Sequence, residues 1–155
     1  MILIPHMIKN LPTLAVANWF LEKSSYSSTP MRLQRLTYFS HCWCLALYNE
    51  PLVDEFVTAL PFAPVFLGIY DAAKPYGKGV VKDLLPAPSV IDPQDPRVPL
   101  LSKIWDVYGG YTDSQLSRLA TEETGPWHTT IQKNKGRKNP HIDENIIITV
   151  FRSKL

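Results

Sequence analysis

Between Pro30 and Tyr48 apolar residues fall on most of the circumference of a helix and leave polar groups along one narrow strip. Such a helix cannot lie on a surface, so the pattern predicts a central element buried on nearly all sides. Thr29 is placed to cap its free amides, and Pro30 occupies the first helical position, where a missing N–H costs no hydrogen bond. Upstream, Leu14, Ala17, Trp19, Phe20 and Leu21 recur near helical spacing and predict a first helix from Leu11 to Lys23, ended by Ser24-Ser25. Beyond Asn49-Glu50-Pro51 the pattern weakens. Residues 52–64 read as a loop that can hold a short strand, and residues 65–76 as a short helix stopped by Pro75 and Gly77. Prolines 86, 88, 93, 96 and 99 exclude a regular helix over residues 79–99 and predict an exposed, partly extended and mobile connection, with Val80-Val81 available to a small strand pair.

The last third is better marked. Leu100, Leu101, Ile104, Val107 and Tyr108 form a helical stripe that Gly109-Gly110 stops. Thr112 and Gln115 have the spacing of a capping box, with Tyr111 and Leu116 as the flanking staple, which predicts a helix from Asp113 to about Glu122. Gly125-Pro126-Trp127 opens a further short turn, and residues 133–140 form a basic loop. Asp143 can cap a final helix, with Ile142 stapled onto Ile147. The run Ile146 to Val150 is β-branched, however, and by propensity alone prefers a strand.

These elements predict a mainly α fold: a compact helical bundle around one buried central helix (about 30–48), with at most a small two- or three-stranded sheet and a Pro-rich connection. At 155 residues, 45% of them hydrophobic, one domain over 1–155 is expected, with its core from about 11 and residues 1–10 as an N-terminal extension. Sixteen Lys plus Arg against fourteen Asp plus Glu give a net charge of +2, too small for whole-protein attraction to nucleic acid. Cys42 and Cys44 stand two apart on a helix and cannot bridge, which points to a reducing, cytoplasmic setting. The opening eight residues are apolar and Ala15-Val16-Ala17 imitates a cleavage site, but no Lys or Arg precedes the apolar run, so a secretory leader is not expected. No apolar run approaches the roughly 20 residues needed to span a bilayer.

Candidate chemistry is sparse. His41, Cys42 and Cys44 do not converge on one helix face and lack a second cysteine pair, so buried apolar cysteines beside one hydrogen-bonded histidine are favoured over a metal site. No nucleophile elbow, zinc-protease motif or phosphate loop occurs; catalytic residues, metal and cofactor are all expected to be absent, although a dyad using His41 or His128 is conceivable. Arg32, Gln34 and Arg35 share the polar strip, readable either as a solvated edge salt-bridged to Asp54 or Glu55 or as a polar groove receiving a partner. Lys133, Lys135, Arg137 and Lys138 suit phosphates, yet no aromatic side chain interleaves them, so a solvated loop is favoured over a nucleic-acid contact. Trp127 after Pro126 suits either a partner anchor or a core position.

Pro30-Met31-Arg32-Leu33-Gln34-Arg35-Leu36-Thr37-Tyr38-Phe39 with His41-Cys42-Trp43, then Pro51-Leu52-Val53-Asp54-Glu55, Ala63-Pro64-Val65, Tyr108-Gly109-Gly110-Tyr111-Thr112 with Leu116-Ser117, and Gly125-Pro126-Trp127, follow one another in an order that resembles the phage-associated Panacea, or SocA-like antitoxin, domain. The resemblance runs from about Ala15 to Leu155. It departs at Arg32 and Arg35, where the family usually has lysines; at Ala63, where Gly-Pro-Val is usual and Ala lacks the backbone freedom of Gly; and at Ala120-Thr121, where Thr-His is usual. The resemblance implies a helical, non-enzymatic, protein-binding domain that neutralises a cognate toxin by direct complex formation or by delivery to a protease. Its expected contact surfaces are Arg32, Gln34, Arg35, the Ala63-Pro64-Val65 turn, Pro126 and Trp127. The alternative is a phage-encoded regulator that binds nucleic acid through Lys133, Lys135, Arg137 and Lys138 or meets a host defence protein.

Overall fold

The computed structural model describes residues 9–155. The apolar opening at 1–8, and with it the question of a leader, lies outside the described residues.

Thr29 and Pro30 start the central helix α2 (Pro30–Tyr48) as expected: the Thr29 hydroxyl accepts from the Arg32 N–H at 3.2 Å. Asn49 stops it in the left-handed conformation at φ 57°. From Leu33 to Ala46 only Trp43 is less than buried. Around this pillar pack α1 (Thr13–Lys23), α3 (Leu67–Ala73), α4 (Val98–Tyr108), α5 (Asp113–Ala120) and α7 (Glu144–Arg152), while α6 (Pro126–Lys133) lies against α7. The fold is mainly α, with seven α-helices among the described residues. None of them is long and apolar enough to cross a membrane.

The sheet is a hairpin of β1 (Thr58–Ala59) and β2 (Pro64–Val65), antiparallel with Thr58 opposite Val65. Leu60 donates to the Ala63 carbonyl at 3.0 Å and closes the turn. Ala63 does not adopt positive φ, so this turn does not use the conformational freedom that a glycine would bring. The far edge of β1 is covered by the chain entering α7: Ala59 donates to Pro140 and Ile142 to Val57, each at 2.8 Å.

One open alternative is decided and one expectation is corrected. The Ile146–Val150 run is helical, because α7 inserts Ile147 and Phe151 against α2, and this burial overrides β propensity. Asp143 caps the helix by accepting from the Asn145 N–H at 2.8 Å, and Arg152 Nε reaches the Ala46 carbonyl near the end of α2 at 2.9 Å. The proline-rich connection is not a free strap. Val81, Leu85 and Ile91 are buried, and Val81 donates to Ser28 at 2.9 Å without forming a strand. Asn18 clamps the backbone of Leu85 from both sides, donating to its carbonyl at 2.9 Å and accepting from its N–H at 2.8 Å. Arg97, buried beside Asp95, ties the end of the segment to the Lys9 carbonyl at 2.7 Å.

Candidate functional site

The polar strip of α2 is not a solvated edge; Gln34 and Arg35 are only 5% and 4% exposed. Arg32, at the first turn, holds the α4–α5 junction: Nε donates to Asp113 Oδ1 at 3.0 Å, Nη1 to the Gly109 carbonyl at 3.2 Å, and Nη2 to the Tyr111 carbonyl. The other Asp113 oxygen accepts from the Thr29 hydroxyl at 2.6 Å. Asp113 thus takes the place expected of Asp54 or Glu55, and Glu55 instead accepts from the Gly68 N–H at 3.0 Å. Gln34 makes a reciprocal pair with Phe66, accepting from its N–H and donating to its carbonyl, both at 2.9 Å. That pair satisfies two buried main-chain groups where β2 turns into α3.

Arg35 is different. Its Nη1 donates to the Pro64 carbonyl at 3.2 Å, while its Nε is buried without a partner. No ion pair among the described residues includes it. Burial pulls its pKa down to about 10, with smaller opposing contributions from Tyr38 and Asp113, so the guanidinium remains charged at neutral pH. A buried ion without a counter-ion is costly, and here the nearby carboxylate is already held by Arg32 and Thr29.

Arg35 and Gln34 line a groove of about 260 Å³ between the start of α2, the hairpin and α3. Its walls are Met31, Phe62, Val65, Ile69 and Tyr70, with Lys74 at the end of α3 and no Asp or Glu in the lining. Phe62 is 60% exposed, Met31 43% and Tyr70 39%. Lys74 Nζ lies 5.7 Å from the Tyr70 ring centre. Phe62, Met31, Tyr70 and Lys74 were not singled out by the sequence. The available signal was a Phe at the tip of a two-residue hairpin turn, where no core position is in reach. A larger cleft, about 460 Å³ between α1 and the proline-rich connection, carries Glu22 and Lys23 together and has no such charge imbalance.

The remaining candidates separate from this groove. Ala63, Pro64 and Val65 are buried, so the turn supplies a wall and the carbonyl that Arg35 holds. Pro126 is buried, and Trp127 is half-buried with its indole donating to the Leu60 carbonyl at 2.8 Å, bracing the hairpin from α6. Lys133, Lys135, Arg137 and Lys138 are all exposed at the end of α6 and in the turn after it. His41 is buried: its Nδ1 accepts from the Leu52 N–H at 3.3 Å, its Nε2 lies 3.9 Å from Glu144, and desolvation lowers its pKa to about 4. Cys42 and Cys44 are buried free thiols; burial pushes Cys42 well above its usual value and Cys44 to about 12, which holds both as thiols. Among the described residues no group of three or more His, Cys, Asp or Glu is arranged to hold a metal ion. His128 is half-buried in α6 and tilted against Trp127.

No family model and no solved structure matches the chain. Among curated proteins it is similar to Antitoxin SocA of Caulobacter vibrioides, at 30% identity over 125 residues. The match covers 73% of this chain and 66% of that protein, so the chain spans about two thirds of its relative's length. With a mainly helical fold and a likeness that extends over most of its residues, the chain belongs to the SocA-like antitoxin family.

Proposed function

We propose that this chain is the antitoxin of a toxin–antitoxin pair, a cytoplasmic, non-enzymatic protein that binds a cognate toxin and neutralises it by direct complex formation or by delivery to a protease. The observation that carries the reading is the similarity to Antitoxin SocA over most of the chain. An open apolar groove set in a rigid bundle is consistent with protein binding. Co-expression with the neighbouring reading frame tests it. The expected result is that the neighbour arrests growth alone and is tolerated beside this chain. A neighbour harmless by itself, or toxic in both settings, overturns the reading. Toxin abundance separates the two routes: blocking leaves it unchanged, and delivery lowers it. A stable complex should bury at least about 1,000 Å².

A second reading rests on the four exposed cations placed together at the end of α6 and in the turn after it. It requires nucleic-acid affinity that falls steeply with salt and weakens when Lys133, Lys135, Arg137 and Lys138 become alanine. A flat salt titration removes it.

A further inference from the structure

We propose that the groove between α2, the hairpin and α3 receives an apolar segment of the cognate toxin bearing one carboxylate, and that this carboxylate is the missing counter-ion of Arg35. The proposal rests on the antitoxin reading for the identity of the partner, and on the groove itself for the chemistry. Three features converge. The walls are apolar, and Met31, Phe62 and Tyr70 remain exposed around the mouth, as expected of a surface that closes over a side chain rather than over water. The charged groups in the lining are both cations, Arg35 in the wall and Lys74 at the end of α3. Arg35 is almost wholly buried, with one main-chain acceptor and an unpartnered Nε, and a planar guanidinium matches a carboxylate in shape as well as in charge.

The first eight residues cannot supply that carboxylate. Residues 1–8 are apolar but contain neither Asp nor Glu. Leu155, whose N–H donates to the Arg152 carbonyl at 3.1 Å, and Lys154, held by Glu122 at 2.6 Å, are not in the groove lining either. Basic or uncharged apolar segments would leave Arg35 as it is. An acidic segment relieves a cost that the free protein carries, so the pairing favours the complex over the free state.

The test uses the purified full chain with Phe62→Ser, Lys74→Glu and, as a control on another face, Phe56→Ser. All three positions are exposed, so the fold is not at stake. In calorimetric titration with the product of the neighbouring reading frame, Phe62→Ser and Lys74→Glu should each weaken binding by about tenfold or more, and Phe56→Ser by less than about twofold. In parallel, a random peptide library selected on the wild-type chain should yield apolar peptides with one Asp or Glu. Replacing that residue by Asn or Gln should cost about tenfold. A complex with wild-type affinity in the Phe62 and Lys74 variants overturns the groove while leaving the antitoxin reading intact. Acidic peptides that bind and respond to Phe62→Ser, beside a neighbour that never binds, uphold the groove and remove the antitoxin reading. Selected peptides that bind equally well as amides overturn the role of Arg35.

Discussion

Arg32 and Arg35 stand nearly one helical turn apart on α2, and the molecule treats them in opposite ways. Arg32, half-buried in the first turn of the helix, has a carboxylate and two carbonyls around it and joins α2 to the α4–α5 turn. Arg35, buried in the groove wall, has one carbonyl and no ion pair. The first region is a finished clamp, in which each charge is met within the chain. The second is an unfinished one, in which the main chain is satisfied through Gln34 and the charge is not. The same residue type on the same strip therefore serves stability at one point and offers a contact at the other, and the distinction depends on what the rest of the chain brings alongside.

The largest effect should come from the finished part of the groove wall. Gln34→Leu keeps the volume but leaves the Phe66 N–H buried and unpaired, at about 1–3 kcal/mol, and takes one of two donors from the Phe66 carbonyl, which keeps the Tyr70 N–H at 3.1 Å, so denaturant unfolding should show a loss of about 3 kcal/mol. A loss below about 1 kcal/mol would mean that the β2–α3 junction is held by other means. His41 gives the next effect. Its folded pKa, lowered to about 4 by desolvation, lies below the ordinary value of 6.5, so the unfolded chain binds the proton first as pH falls. Stability should be intact above about pH 6.5 and decline by about 3 kcal/mol as pH approaches 4. Glu144, whose pKa is raised by desolvation and then by Asp143, works in the opposite direction. His41→Asn retains an acceptor for the Leu52 N–H and should flatten the slope in that window; an unchanged slope would assign it to other groups.

Much of the frame was legible because local signals and tertiary packing agree. Thr29-Pro30 before an all-round apolar run, the Thr112–Gln115 capping box and the Gly109-Gly110 stop each name a boundary that the structure keeps. α7 was not legible by propensity, because its β-branched run is helical only by virtue of the groove it fills on α2. The site was legible in part. Gln34 and Arg35 share the groove wall, but Arg32, read on the same strip, turns to the α4–α5 junction, and what each side chain meets depends on Pro64 and Phe66 from the hairpin region or on Asp113 far along the chain. Spacing on one helix carries no information about partners at such separations. Phe62 was missed for a related reason: its exposure follows from the tight hairpin, whose two-residue turn leaves it no inward position.

The smallest effects set the two arginines directly against each other. Arg32→Ala removes a charge-assisted bond and two carbonyl contacts at a partly solvated site, for an expected loss of about 2 kcal/mol in denaturant unfolding, because water replaces some of what is lost. Arg35→Met removes one bond to Pro64 but also an ion that the fold keeps from water without a counter-ion. These terms oppose one another, and the net change should lie within about 1 kcal/mol of zero. Partner affinity should rank the pair in reverse, with Arg35→Met losing about tenfold and Arg32→Ala little. If Arg35→Met instead unfolds as readily as Gln34→Leu, the guanidinium is a structural group like Arg32, and the contrast between the two clamps disappears.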